Sequence, residues 1–482
     1  EKSLIKNIPH PITVNQNNHF LSSLGRVNHQ PAGRKINKVT TNGQTISRWA
    51  TSEIRKLAQV ASIVPKTKVS MLIFYSMPRP KIILILILVF AAGTRLWNLG
   101  YPKGYYFDEV YNAFTTQEFA KGNKDAYEWS HQSPVAGTAY GWTHPPLAKL
   151  LGEVGILIFG DNEFGWRIAN ALIGVGVIYL VYWLGEKLLR NKSYALLAAA
   201  FAGLDGLLLV QSRINMNDIV AVFFILVVFA AFVRYQLKQS KNNLLLLGLS
   251  LGLLIATKWT GLYALPVFGA WLGWQNLTKV SKWPALLAAL IIIPAAIYIL
   301  SYSQYFLLGG SWSNFVELQK QMWWYNTNLK ATHTYQSDWW TWPLSLRPVW
   351  YYVDYSIPGQ IANIYALGNP LLWWLGMAAV LFTGYAAVKS RDWRVWLIVV
   401  GYLAFWLPWA RAPRIMFLYH YLPSVPFLCL ALAYSLSKLP KWVTLASGIL
   451  ILGSFVFFFP HWTAIHVPAN LAKYYFWMSG WK

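Results

Sequence analysis

Apolar residues in this sequence come in long blocks rather than in one-sided stripes. Residues 81–93, 171–184, 219–233, 244–256, 284–300, 371–383 and 442–459 hardly contain a charge. A helix rises about 1.5 Å per residue, so blocks near 20 residues match a hydrocarbon core of about 30 Å. Short basic loops lie between them: 186–192 (Lys187, Arg190, Lys192), 234–241 (Arg234, Lys238, Lys241), 279–282, 389–394 and 438–441. Such loops collect on the cytosolic side. Alternating blocks and loops predicts an all-α polytopic membrane bundle of about 11 transmembrane helices, with the N-terminus inside and the C-terminus outside. The longer segments 98–146 and 306–365 then fall on the outer side. Both are rich in Trp, Tyr, Pro and Asn, which predicts interfacial helices lying on the membrane surface.

Composition supports that class. Hydrophobic residues make up 56% of the chain and charged ones 12%, where a soluble protein uses roughly a quarter. The net charge of +24 sits in loops and in the first 70 residues, a placement that anchors loops rather than grips nucleic acid. Residues 1–70 are polar, basic and weakly periodic. They read as a disordered cytosolic tail or a non-native extension, and 71–482 as the membrane domain. One cysteine, Cys429, rules out an intrachain disulfide. No internal repeat is evident, which argues against a transporter built from inverted halves.

The outer segments carry a particular set of chemical groups. Transfer of a sugar from a lipid phosphate needs cations for the departing phosphate and one carboxylate base for a hydroxyl acceptor. Tyr105-Tyr106-Phe107-Asp108-Glu109-Val110 places two acids at the membrane edge just after the first apolar block. Arg167, Arg213, Lys258, Arg347, Arg411 and Arg414 are cations on the same side. Each arginine alone reads equally well as an interfacial anchor. Lys258 lies between two apolar runs with little loop around it, a costly place for a charge without a task. The acids read as base and support, or as a solvated pair capping a helix. His144-Pro145-Pro146-Leu147 opens a helix, and His144 either orients a substrate or bonds the helix start. There is no His-x-x-x-His and no paired Cys, so no dedicated metal site is predicted.

At these residues the chain resembles the protein O-mannosyltransferases, membrane glycosyltransferases of the GT-C fold. The resemblance runs from about residue 79 to the C-terminus. It rests on Phe107-Asp108-Glu109, on His144 through Leu150, on Ser212-Arg213 to Asp218, and on Thr257-Lys258-Trp259-Thr260-Gly261-Leu262. Tyr325 through His333, Trp339 through Pro348, and Tyr419-His420-Tyr421-Leu422-Pro423 complete it. The resemblance implies inverting transfer of mannose from polyprenyl-phosphate mannose to Ser or Thr of translocated proteins, with Asp108 catalytic and Glu109 supporting. It implies substrate contacts by Arg167 and Lys258, then by His144, Arg213, Asp218, Arg347 and Arg414. No cofactor beyond the donor is implied; dependence on a divalent metal stays open. Implied partners are the lipid donor, acceptor proteins delivered by the secretion translocon, and membrane lipids, with no nucleic acid.

Two departures matter. Residues 306–365 are too short for the β-trefoil MIR domain of eukaryotic members, which points to a bacterial plasma-membrane protein with its site on the outer face. The spacing from Glu109 to His144, through Asn123, Glu128, His131 and Gly137, is long for the family and bears on the acceptor. A lipid or cell-wall glycan acceptor therefore stays open beside a protein one, and a transporter stands as the reading from another class.

Overall fold

The computed structural model describes residues 79–329 and 331–482. The expectation for residues 1–70 lies outside them. The first helix, α1 (Arg79–Leu96), leads into an outer segment holding α2 (Glu109–Ala120), and α3 (Leu147–Phe159) follows. Next come α4 (Glu163–Leu189), α5 (Lys192–Gly203), α6 (Gly206–Ser212), α7 (Asn217–Leu237), α8 (Lys241–Thr257) and α9 (Ala264–Gln275). A long helix with a π-turn inside it, α10 (Val280–Leu300), precedes the surface helix α11 (Trp312–Asn328). After a small sheet the chain finishes with α12 (Pro370–Ser390), α13 (Trp393–Ala404), α14 (Val425–Leu436) and α15 (Lys441–Thr463).

Six helices are long and apolar enough to cross a bilayer, and seven if the bent pair α5–α6 counts as one span. This is a multi-pass membrane protein. The count of about eleven is not reached by length and composition, because several apolar stretches are short or broken. α8 has 17 residues, and α5 and α6 meet at 62°. Asp205 explains that break. Its Oδ1 accepts the Leu208 backbone N–H at 2.8 Å and starts α6, while Oδ2 accepts the Trp373 Nε1–H at 2.7 Å. Asn369, the N-cap of α12, donates in turn to the Leu204 carbonyl at the break and to the Ile451 carbonyl of α15. A broken helix is tolerated at membrane depth when protein groups satisfy its backbone in this way.

Helix burial separates the centre of the bundle from its lipid face. α7 is 78% buried along its apolar window, whereas α10 is 17% and α15 28% buried. The outer two expose Ile291, Ile292, Leu300, Leu445, Ile449 and Val456, a surface suited to hydrocarbon rather than to water. Exposed tryptophans form belts at both ends: Trp274 and Trp442 beside basic loops, Trp323, Trp324 and Trp340 at the other end. Indole rings favour those two interfaces. Small residues let the core helices close up. A Cβ on Gly174 of α4 would lie 2.1 Å from Ser212 Oγ of α6, so that contact requires glycine.

The second outer segment departs from the all-α expectation. Val349–Asp354 (β1) and Gln360–Ala366 (β2) pair antiparallel, Val349 opposite Ala366, with a bulge between Trp350 and Tyr352. β3 (Val467–Pro468) joins the far edge of β2. Val349-Trp350-Tyr351-Tyr352-Val353 is β-branched and aromatic, a composition that fits a pleated half-buried surface.

Candidate active site

The two adjacent acids part company at the start of α2. Phe107 adopts φ +50°, a left-handed conformation costly for a bulky residue and typical of functional sites. Its ring is held there by face-to-face stacking on Tyr351 of β1 at 3.8 Å and by the edge of Tyr419 at 5.9 Å. The strained turn sends Glu109 into the protein and leaves Asp108 beside a polar pocket.

Glu109 is fully buried against Arg167. Arg167 Nε meets Oε1 at 2.8 Å and Nη2 meets Oε2 at 2.7 Å. The other three N–H groups of Arg167 go to the Leu99, Pro102 and Gly104 carbonyls. A guanidinium has five N–H donors, and here all five are taken. Glu109 also accepts the Asn215 backbone N–H at 3.0 Å, which ties the loop before α7 to α2. The pair is therefore a brace that shapes the first outer segment, and it leaves Arg167 no donor for a ligand.

Asp108 is different. It stands at the N-cap of α2 but its side chain makes no capping bond, although Asp at that position ordinarily does. Among the described residues its carboxylate has no hydrogen-bond or ion-pair partner. Burial, and then the Asp218 charge, push its pKa up to about 7, against the pull of Lys258 and Arg414. Those three residues surround it from separate elements. Asp218 sits in the first turn of α7, and its Oδ1 receives Lys258 Nζ at 2.7 Å from the end of α8. Both side chains are nearly buried.

Arg414 completes the group from the loop before α14. One Nη donates to Asn326 Oδ1 at 2.5 Å, and the guanidinium lies 5.7 Å from the Tyr325 ring centre. Its Nε is buried with no partner. Asn326 also donates to the Thr143 carbonyl at 3.3 Å, joining α11 to the His144 loop. Burial, together with Lys258, Lys149 and Arg414, holds His144 well below the usual imidazole range, so the ring is neutral beside those cations. His420, in a buried turn ahead of α14, feels Lys258 and Arg414 as well.

The structure thus gathers Asp108, Asp218, Lys258, Arg414 and His144, drawn from five separate segments of the chain. It does not bring the other expected contacts there. Arg213 donates to the Thr94, Arg95 and Trp97 carbonyls at the end of α1, at 2.7 to 3.1 Å, and so serves as that helix's C-cap. Arg347 donates to the carbonyls of Thr334, Gly480 and Lys482, fastening the chain's last residues. Asn326 and His420 were missed as candidates, though both lie in stretches already singled out. Asp125, Glu128 and His131 bring ligand-type atoms within 4.8 Å of one another, spaced three apart rather than in the His pairs sought. His131 Nδ1 lies 3.0 Å from Glu128 Oε2.

A sequence model described as dolichyl-phosphate-mannose-protein mannosyltransferase matches residues 85–308. A second, for the C-terminal four-transmembrane region of protein-O-mannosyltransferase, matches residues 311–481. The chain belongs to the protein O-mannosyltransferase family. It is accordingly a glycosyltransferase that uses a sugar carried on a polyprenyl phosphate. A polyprenol-phosphate-mannose–protein mannosyltransferase of Mycolicibacterium smegmatis is 27% identical, over 82% of this chain and 92% of that relative. The counterpart in Mycobacterium tuberculosis is 26% identical, over 82% and 91%. Among solved structures, the Saccharomyces cerevisiae Pmt1–Pmt2 complex bound to the sugar donor aligns with a TM-score of 0.70 at 17% identity, covering 84% of this chain and 93% of that one. ArnT of Cupriavidus metallidurans bound to undecaprenyl phosphate aligns at 0.52 and 18% identity, covering 77% and 63%. At such identities the transferase shares a fold with these two.

Proposed function

We propose that the transferase moves mannose from polyprenyl-phosphate mannose to Ser or Thr hydroxyls of exported proteins, with inversion at the sugar carbon and Asp108 as the base. The observation that carries this reading is the unpartnered Asp108 carboxylate beside Lys258 and Arg414, with its neighbour Glu109 already consumed by Arg167. One free carboxylate suits a single displacement. The acceptor oxygen bonds to the anomeric carbon as the bond to phosphate oxygen breaks, and the phosphate leaves with the electron pair. The hydroxyl proton passes to Asp108. A base is most effective when its pKa lies near the working pH, and about 7 meets that condition.

The departing phosphate gathers negative charge, which cations fixed in advance stabilise without reorganising. Lys258 spends one of its three N–H donors on Asp218, leaving two for phosphate oxygens. The buried, unpartnered Nε of Arg414 is a second donor for the phosphate. His144, kept neutral, can accept from or donate to a sugar hydroxyl. No step in this scheme calls for a metal. The site lies at the outer face of a bacterial plasma membrane, where acceptor chains emerging from the translocon would meet a lipid-borne sugar.

The test is a membrane assay that offers labelled polyprenyl-phosphate mannose to peptide and lipid acceptors side by side. Label on Ser or Thr of the peptide, lost in Asp108→Asn, is the expected result. Label on a lipid or glycan acceptor alone would overturn the protein acceptor, and full activity of Asp108→Asn would overturn the base.

A further inference from the structure

A second polar pocket lies at the other end of the same helices. α4 carries Arg167 near its start and α7 carries Asp218 in its first turn, and their far ends, Leu189 and Leu237, come 22 and 19 residues later. At about 1.5 Å per residue those ends lie roughly 30 Å from Arg167 and Asp218. Between them lies a largely solvent-open groove of about 450 Å³ lined by Trp183 and Lys187 of α4, Arg234, Leu237 and Lys238 from the end of α7, and Ser240, Asn242 and Asn243 at the start of α8. Three cations and no carboxylate line it.

The cations are available. Among the described residues neither the Arg234 guanidinium nor the Lys238 ammonium has an ion-pair or hydrogen-bond partner, and Lys187 meets only the adjacent Glu186, at 3.6 Å. The carbonyls that would compete for them are already answered: Asn243 Nδ2 donates to the Arg234 and Lys238 carbonyls at 3.2 and 2.8 Å. The first turn of α8, 17 residues long with Ser240 as its cap, turns its N-terminal end to the same space. Helix N-termini attract anions. Beside the polar Ser240, Asn242 and Asn243, two apolar side chains line it: Trp183 lies 5.8 Å beneath Lys187, and Leu237 is exposed. A soluble anion would gain nothing from that indole and leucine, whereas a headgroup whose acyl chains run down the bundle would.

We propose that this pocket binds the phosphodiester headgroup of an anionic glycerophospholipid in the leaflet opposite the transfer site. A lipid held there bridges the last turns of α4 and α7 and the first of α8, the helices that carry Arg167, Asp218 and Lys258 at their other ends.

The experiment uses the full chain in nanodiscs of phosphatidylcholine with and without phosphatidylglycerol, and native mass spectrometry to count retained lipid. The expected result is retained phosphatidylglycerol that inorganic phosphate does not displace. Arg234→Gln with Lys238→Gln should weaken it about thirtyfold, from two cations lost near the surface. Lys389→Gln with Lys441→Gln removes the same charge from basic loops outside the pocket and should leave it unchanged. Both side-chain pairs are exposed, and an equal melting temperature of the two variants checks that the fold survives. Unchanged retention in the pocket variant would overturn the proposal, as would an equal loss in the loop variant. Displacement by inorganic phosphate as effective as by lipid would also overturn it, by assigning the pocket to a soluble anion.

Discussion

Arg167 grips Glu109 through two parallel contacts, 2.8 and 2.7 Å long, with neither side chain exposed to solvent. One residue earlier, the Asp108 carboxylate has no hydrogen-bond or ion-pair partner among the described residues. Adjacent acids that look equivalent in the sequence thus take opposite settings, one paired in a brace and the other left free for the proposed role of base.

Breaking the brace should therefore act on folding. Removing one member of a buried ion pair costs ~3–5 kcal/mol, because the other charge is stranded. Arg167→Met and Glu109→Gln are both expected to lower the melting temperature of the detergent-solubilised protein sharply. Arg167→Lys should be nearly as damaging, since an ammonium cannot reproduce the fork that also holds three backbone carbonyls. A wild-type melting temperature with raised donor KM would instead make Arg167 a substrate contact.

Asp108→Asn should do the reverse. Its carboxylate neither caps α2 nor pairs with a cation, so little stability is at stake. A positioned base contributes about 10²–10⁴-fold to rate. The expected outcome is a kcat lower by that factor, at an unchanged melting temperature and a nearly unchanged donor KM.

The pH dependence follows from the same carboxyl. Only the deprotonated form can take a proton, and its pKa stands at about 7. Activity should rise from pH 5, reach half its limit near pH 7 and level off above about pH 8. Lys258 and Arg414 pull that value down and Asp218 pushes it up. Arg414→Gln should thus move the acid limb to higher pH, and Asp218→Asn to lower pH. Limbs that stay in place in both variants would assign the titration to another group.

Much of this arrangement was legible before the fold was known, and the missing part has a physical cause. Asp108 and Lys258 stood out because charges are scarce beside apolar blocks, where each needs a reason. Arg213 and Arg347 could not be told from phosphate ligands, because an arginine binds backbone carbonyls and phosphate oxygens through the same five donors. Which one it meets depends on chain segments more than 100 residues away, the end of α1 for Arg213 and residues 480–482 for Arg347. The division of labour between Asp108 and Glu109 was hidden for a like reason: it rests on the positive φ of Phe107, and Tyr351, which holds that turn, comes from a strand the apolar pattern did not reveal. Short apolar stretches keep length and composition from fixing the number of spans, because Asp205 and Asn369 restore backbone bonds where a helix is broken.

Lys258 gives the sharpest separation of donor binding from fold. Its Nζ holds Asp218 at 2.7 Å, so Lys258→Met alone removes the proposed phosphate partner and also strands a nearly buried carboxylate. A charged hydrogen bond lost from the donor is worth ~1.5–3 kcal/mol, which predicts a donor KM raised about 10- to 150-fold. The stranded Asp218 should lower the melting temperature as well, and should lift the Asp108 pKa now that the opposing cation is gone. Adding Asp218→Asn removes the unpaired charge. The double variant is expected to recover most of the melting temperature while the donor KM stays high, since nothing restores the cation. If KM recovered together with stability, the role of Lys258 would be to hold Asp218 in place, and the phosphate would have to be met by Arg414 alone.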